Sequence, residues 1–498
     1  MPDTKKLIDS TSPEVVTRTP EWERYKLALA GGEAFAETAI LQHPREGDDD
    51  YKKRKKQVYT IDFCRNIIMS RQKYLFKVPV VPIMPPAAKA VLEPFLNNID
   101  LRGNSFNNFA DGVSRDSMLF GSDIILVDAT QQTVPFRSRA EQIAAGSRPY
   151  LVSYSPLDVQ NFAQDAFGEL LWILFKNGIG PAMLNESDYA GAIVEGAENT
   201  GFTLWTRDSW SKLDKDGVVY DIGDHGLGFV PVVNVPFTRL KNLYFGLSLL
   251  RDIEPLNRRN IGQWALLQEI LENQTFGQLC VPDEMGGKDE HGQPKVVGTK
   301  SVLYYTGGQA PSFIQPDASN AATVLETIRA TELAIEREAE MQGSIAMATP
   351  IIASGVAMAY KFRPTNAALG RQASILGPQL ARVLWIMAKM SGVDADLSKF
   401  SVPFPADFGV TTSTELIADY ATLTAGIHQP ATPIIISMEQ QIFTALNRDM
   451  PKDKLDKELA KIEDEISTTG DMVNMPPPIK GPANGLETTL EGGDDENR

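Results

Sequence analysis

Cysteine is nearly missing from this chain: Cys64 and Cys280 are the two in 498 residues, and they lie far apart. Disulfide-stapled scaffolds need dense, paired cysteines, so these two read as free thiols in a reducing compartment. Histidine is equally sparse. His43, His225, His291 and His428 never fall at metal-ligand spacing, and neither H-E-x-x-H nor C-x-x-C occurs. His291 sits in a polar turn and reads as an exposed loop residue. Positive charge is in deficit, with 48 Lys and Arg against 64 Asp and Glu, for a net charge of −16. That balance argues against a free-standing nucleic-acid binder, which shows a basic face. Long apolar runs are missing too. The longest candidate, Ser344 to Tyr360, is rich in Ala and Met and is broken by Pro350 and Gly355, so no transmembrane helix is expected. The opening MPDTKKLIDSTSPEVV has no apolar core of a signal peptide. The expectation is a soluble protein made in the cytoplasm.

The usual catalytic signatures fail one by one. A phosphate-cradling loop needs G-x-x-x-x-G-K-[ST]. Gly287-Lys288-Asp289 lacks the final hydroxyl, and Pro282 stands where the leading glycine belongs. Gly298-Thr299-Lys300-Ser301 has Thr in place of the second glycine. Gly226-Leu227-Gly228 lacks the third glycine of a dinucleotide loop. Ala353-Ser354-Gly355 lacks the leading glycine of a nucleophile elbow. Acid pairs such as Asp283-Glu284 carry no information in so acidic a chain. No catalytic, cofactor-binding or metal-ligating residue is assigned, and no cofactor is expected.

At this length two to four structural units are expected. Thr19-Pro20-Glu21 reads as a helix start. A second helix is expected after Asp48, Asp49 and Asp50, opening on Lys52 to Lys56 and carrying an apolar stripe through Tyr59, Phe63, Ile67 and Tyr74. Prolines 79, 82, 85 and 86 mark an extended connector. Helical spacing through Phe106, Phe109, Val113 and Met118 stops at Gly121, and Ile124 to Val127 then reads as a buried strand. From Pro149 to Phe237 short runs such as LLWILF and FTLWT alternate with glycine turns, as in an antiparallel sheet. Leu249, Ile253, Leu256, Trp264, Leu267 and Leu271 step by three and four, with polar Asn260 in the gap, and predict a long helix that Pro255 kinks or delays. After a non-helical interlude, with strand-like LCVP and KSVLYY, comes a helix at Ala321 to Gln342, short of bulky apolar groups and rich in Glu and Arg. A further helix is expected from about Thr365 to Met390, bent at Gly377-Pro378. Strand-like SVPFP follows, then two or three helices between Thr414 and Ile466. From Thr468 the acidic, proline-containing tail should be disordered.

These segments occur in a characteristic order: NIIMSRQKYLFKVPV (Asn66 to Val80), FLNNIDLRGNSFNNFADGVSRDSMLFGSDIILVD (Phe95 to Asp128), PYLVSYSPLDVQNF (Pro149 to Phe162), HGLGFVPVVNVPF (His225 to Phe237) and FGLSLLRDIEPLNRRNIGQWALLQEI (Phe245 to Ile270). Together they resemble the portal proteins of tailed bacteriophages. The match is one of order and texture along nearly the whole chain, with no single diagnostic motif.

The resemblance implies an α+β fold of wing, stem, clip and crown regions, in a ring of usually twelve copies around an axial channel. On that pattern 1–246 is the N-terminal wing, 247–274 the first stem helix, 275–320 the clip and 321–343 the second stem helix. Residues 344–362 fall at the channel loop, 363–410 at a long wing helix and strand, 411–467 at the crown, and 468–498 at the tail. Ser344, Met347, Ser354, Gly355 and Met358 would line the loop, small or pliable groups beside a passing duplex. Lys361 and Arg363, then Lys295 and Lys300 in the clip, are candidates for sequence-independent phosphate contacts; plain surface charge is the alternative for each. An acidic lining suits passage, because repulsion keeps phosphates from sticking. The implied partners are further copies of the chain, the terminase motor, a head-tail adaptor, the major capsid and scaffolding proteins and double-stranded DNA, at a capsid vertex and with no membrane. For the Ala321 to Gln342 helix, lateral pairing between copies and a solvated helix with internal charge pairs both remain open. Two other functions also remain open: another ring-forming capsid-associated protein, and a metal-dependent nuclease or hydrolase.

Overall fold

Four consecutive aliphatic residues, Ile124 to Val127, decide how the chain divides. The computed structural model describes residues 4–44, 46–56, 61–130, 148–177, 201–275, 278–280, 312–314, 319–341, 355–405, 407–408, 417, 420–421, 432–446 and 452–470. In it the helices in chain order are α1 (Thr4–Asp9), α2 (Pro13–Ala30), α3 (Gly32–Ala39), α4 (Asp48–Lys56), α5 (Phe63–Leu75), α6 (Pro86–Leu92), α7 (Phe106–Phe120), α8 (Leu250–Thr275), α9 (Ser319–Glu338), α10 (Gly355–Met390), α11 (Thr432–Leu446) and α12 (Lys452–Gly470). The strands are β1 (Ser122–Ala129), β2 (Pro149–Tyr154), β3 (Val159–Gln164), β4 (Leu170–Asn177), β5 (Gly201–Thr206), β6 (Ser209–Leu213), β7 (Val219–Asp224), β8 (Val232–Pro236), β9 (Gln278–Cys280) and β10 (Ser312–Ile314). The chain is mixed α and β.

Strand β1 lies between β2 and β8, antiparallel to both. Successive side chains of a strand point to opposite faces, and here both faces are buried. Ile124 and Leu126 enter a core with Trp22, Phe63, Ile67 and Phe245. Ile125 and Val127 enter another with Val233, Leu380, Leu384 and Met387. Ser105 caps the preceding α7 by accepting from the Asn108 amide. Gly121 ends that helix at φ +88°, where a Cβ would lie 2.4 Å from the Gly246 carbonyl, so the helix-to-strand turn requires glycine. A second sheet, β3-β4-β5-β6-β7, is antiparallel and connects neighbours in sequence order. Helix α1 packs on it, with Ile8 buried among Leu174, Phe202, Leu204 and Leu213.

The expected strand at Ile124 to Val127, the antiparallel β region and the long helix near Leu249 are all present. Several boundaries differ. The first long helix begins at Pro13, not Thr19, so Pro20 lies inside it. Proline at the first helical position needs no N–H partner, so Ser12-Pro13 is the better start. The charged helix at Asp48 ends at Lys56, and the apolar stripe belongs to a separate helix beginning at Phe63, after non-helical Ile61 and Asp62. Pro255 neither starts α8 nor delays it; it sits inside. Ser401 makes a single bridge with Ile83, not a strand through Pro405. Helix α10 starts at Gly355, so about two turns of the expected loop are helical, and it contains both Pro364 and Pro378. Helix α12 runs to Gly470, so the first residues of the tail expected to be disordered from Thr468 are helical; KSVLYY and the tail beyond Gly470 lie outside the described residues.

Two compact units separate at Gly409 and Val410. The smaller holds α11 and α12, joined where the Gln440 side-chain amide donates to the Leu459 carbonyl (3.3 Å). Among the described residues no helix is long and apolar enough to cross a membrane.

One residue of β1 breaks its apolar pattern. Asp123 is fully buried, and the Ser153 hydroxyl lies 2.9 Å from each of its carboxylate oxygens. Burial, and then the like charge of Asp116, raise its pKa well above the ordinary carboxylate range, against the weaker pull of Ser153 and Arg115. An unfolded aspartate ionises near pH 4 while this one stays neutral, so its contribution to stability is intact below that pH and is lost as pH rises toward the folded value. Asp123→Asn removes the dependence. Its melting temperature should match the parent near pH 4 and exceed it by a widening margin toward pH 8; a pH-independent difference would show the carboxyl to be ionised in the fold.

Candidate functional site: a helix pair and its arginine junction

The segment expected to line a channel departs from the end of α9 and rejoins the described chain at α10, so the residues that fix those helices define the site. Helix α8 is fixed first. Ser248 accepts from the Leu250 amide (2.9 Å) and donates to the Leu119 carbonyl at the end of α7 (2.6 Å). Arg18 of α2 donates to the carbonyls of Phe245 and Gly246 (3.1 and 2.6 Å), while Glu14 accepts from the amides of Tyr244 and Phe245 (3.1 and 3.0 Å). A charged pair one turn apart thus grips the backbone immediately before α8.

Within α8 the face turned inward is partly polar. Ile253, Ile261 and Leu267 are buried, but so are Glu254, Asn257 and Asn260. Burial raises the Glu254 pKa, while Arg258 (3.2 Å) and Arg24 (3.8 Å) favour its ionised form. Asn257 donates to Cys64 Sγ on α5 (3.5 Å). That thiol is buried, and desolvation pushes its pKa up to about 12, so it is a poor nucleophile. Leu271, expected on the packed stripe, is exposed.

Helix α9 packs along α8, and Thr331 donates to Gln263 across the pair (3.1 Å). Ile328 and Ile335 of α9, and Ala339 and Met341 just past its end, are fully buried within the chain. The expectation that this helix lacks the apolar groups to bury a face in its own subunit is therefore corrected: small and β-branched residues suffice on a narrow face. Glu336 is also buried, and desolvation with Glu332 nearby raises its pKa. The opposite stripe, Glu326, Arg329, Ala330, Leu333 and Arg337, is exposed.

The end of α9 meets a residue that motif searching passed over. Arg71 of α5 is buried and donates to the Ala339 carbonyl (2.6 Å). Its guanidinium lies over the Phe237 ring, 5.8 Å from the centroid, and 3.8 Å from Glu340. Burial lowers its pKa to about 10, partly offset by Glu340. A cation on the last carbonyls of a helix is favourable there. Glu340, at φ +51°, also lies 3.8 Å from Arg371 of α10, and its carbonyl accepts from Thr365 (2.9 Å). Elements α5, α9 and α10 are thus tied at one point. The signal was legible: Arg71 stands four residues from buried Ile67 and four from buried Leu75, an arginine on an apolar stripe.

Of the predicted site residues, Lys295, Lys300, Ser344, Met347 and Ser354 lie outside the described residues. Gly355, Met358 and Lys361 fall on the first turns of α10, which corrects the expectation that 355–362 is loop, and Arg363 is exposed two residues on. Among the described residues no group of His, Cys, Asp and Glu could hold a metal ion.

No family model matches the chain, and no curated protein matches it. Solved structures similar to it include the virion of a native gene transfer agent particle (12% identity, 82% of this chain and 98% of that one, TM-score 0.43). Others are the neck of the native particle computed with C12 symmetry (12%, 82% and 98%, 0.40) and the neck of the empty particle computed with C6 symmetry (11%, 81% and 98%, 0.43). At these identities and scores the likeness carries no argument about this chain.

Arg71→Met keeps the aliphatic stem but strips the Ala339 carbonyl of its partner. It should lower stability by about 1–3 kcal/mol, the usual cost of an orphaned buried acceptor, in thermal or denaturant unfolding. Faster amide exchange in α9 and early α10, with α7 unchanged, would localise the loss; unchanged stability would remove the junction's structural role.

Proposed function

We propose that this chain is the subunit of a portal ring: a structural, non-catalytic protein at one capsid vertex of a phage-type virion. In this reading several copies, twelve in the usual case, surround a channel through which double-stranded DNA enters and leaves. The ring is also the docking platform for a terminase motor, a head-tail adaptor and the capsid shell. Residues 275–320 serve as the motor- and adaptor-facing clip, 344–354 and the first turns of α10 face the channel, and 411–467 form the crown.

The observation that carries the reading is the two-sided character of the helix pair. Each helix buries one face in its own subunit and leaves residues of another face exposed. On α8 the exposed residues include Arg259, Leu266 and Glu269, the last 3.6 Å from Arg54 of α4; on α9 they include Arg329, Leu333 and Arg337. Leu266 and Leu333 are 48% and 57% exposed. Exposed leucines ringed by both signs of charge are what a repeated lateral contact needs, with apolar contact for adhesion and charges for register. The ordered sequence segments support the same reading independently. Lys361 and Arg363 stand near the channel end of α10 and supply phosphate contacts without reading bases.

The test is the mass and shape of the purified chain. Twelve copies of 54.7 kDa make a particle of about 0.66 MDa, and negative-stain images should show a closed ring with a hole wide enough for a duplex. A compact particle without a hole would end the channel reading, and metal-dependent cleavage of DNA would favour a nuclease. Within assembled particles, Lys361→Ala with Arg363→Ala should leave the ring intact and lower the yield of packaged DNA; normal packaging would make those contacts idle.

A further inference from the structure

The glycine pair Gly226 and Gly228, which fails as a dinucleotide loop, has a different use in the fold. It lies in the strap His225-Gly226-Leu227-Gly228-Phe229, which leaves β7 of the five-stranded sheet and leads to β8 of the three-stranded one. Along the strap His225, Leu227 and Phe229 are partly buried, and the two glycines between them are exposed. Both glycines have positive φ, +64° and +74°, and a Cβ at either would meet nothing within 4 Å. They serve backbone conformation rather than space. The far end of the strap is fixed on α10. Phe229 stacks on Trp385 with ring centroids 5.4 Å apart, and Lys389 lies over both rings. Leu227 packs against the same core.

The near end is fixed by one imidazole. The backbone amides of His225 and Gly226 donate to the Asp208 carbonyl (2.9 and 3.3 Å). The ring meets the Thr206 carbonyl through Nε2 (3.1 Å) and the Leu227 amide through Nδ1 (3.4 Å), and lies 5.9 Å from the Trp205 ring. A carbonyl only accepts and an amide only donates. Both contacts are therefore made by one species, the neutral imidazole with its proton on Nε2. A second proton must go to Nδ1, where it faces the Leu227 N–H, donor against donor. The charged groups around the ring are Asp128 of β1, Asp208 of the β5–β6 turn and Asp224 of β7; Lys212 of β6 and Tyr150 of β2 act on Asp128. Burial opposes a charged ring and outweighs these carboxylates, so the pKa of His225 lies below the ordinary histidine value.

We propose that His225 is an acid-sensitive clasp: protonation at Nδ1 drives the Leu227 amide away, Gly226 and Gly228 absorb the movement, and Leu227 leaves the core beside α10. The neutral ring holds the strap closed and so couples the five-stranded sheet to α10. The imidazolium loosens that coupling while Phe229 keeps its place on Trp385. An open strap takes up a proton from solvent near the ordinary value of about 6.5, and the closed strap does so only at lower pH. Closure is therefore fully favoured above that value and weakens as pH falls below it. The clasp acts within one subunit and stands whether or not the chain forms a ring.

The test is amide hydrogen exchange of the full-length chain at about pH 7.5 and about pH 5, with rates corrected for the intrinsic effect of pH on exchange. At the lower pH the peptide covering 225–229 should exchange about fivefold faster or more. The ceiling is about thirtyfold, set by an open-strap pKa near 6.5, and α7 should keep its rate. His225→Gln still offers a donor for Thr206 and an acceptor for Leu227 but does not titrate. Its ratio between the two pH values should be near one, even if its strap is looser at both. Asp128→Asn withdraws a carboxylate that favours the imidazolium, so it should leave the acceleration at least as large. Unchanged protection in the parent, or an equal acceleration in α7, overturns the clasp. So does an acceleration that persists in His225→Gln or disappears in Asp128→Asn.

Discussion

Everything in the larger unit is arranged around a strand that has no solvent side. With both faces of β1 buried, each residue from Ile124 to Val127 belongs to a different core from its neighbours. A shift of one residue in register would exchange the two sets. The register is held at one end by the Gly121 turn, which fits only because no side chain intervenes between it and the Gly246 carbonyl. That same contact places Ser248, and with it the start of α8. The geometry of the helix pair is thus inherited from the strand through two glycines and one serine.

A second tier of constraint is polar. Glu254, Asn257, Asn260 and Arg71 are all buried where α5, α8 and α9 converge. Apolar residues of similar volume would cost less desolvation. What these groups add is specificity: Arg71 can satisfy its charge only where the end of α9 offers Ala339 and Glu340, and Asn257 reaches Cys64 only in one rotation of α8.

Sequence patterns carried much of this. The apolar run at Ile124 to Val127, the helix ended by Gly121 and the three-and-four spacing after Leu249 are strong local signals, and tertiary packing agrees with them. Boundaries were hidden where local chemistry is permissive. Pro20 looks like a helix start but is tolerated about two turns further in, beside exposed Val16. The small residues after Gly355 have no apolar period, yet they continue a helix whose later turns are anchored by Leu369, Leu376 and Leu380. Arg71 was visible as an arginine on an apolar stripe, but its partners lie some 270 residues away, and no local pattern names them. The close approach of α10 and residues 400–405 is likewise a product of the fold alone, since it needs Gly377, where a Cβ would lie 2.7 Å from the Val402 carbonyl.

The order β2-β1-β8 sets a timetable as well as a shape. Strand β1 leaves the ribosome roughly a hundred residues before β8, its second partner. At ordinary elongation rates that interval is roughly 5–20 s. During it one edge of an aliphatic strand is bare, and the whole five-stranded sheet must be synthesised before the edge is covered. A chain made in many copies at once would then expose many such edges together, and these are the surfaces that pair wrongly with one another. Holding factors at the ribosome, or a slow stretch of translation after β8, would act on this interval.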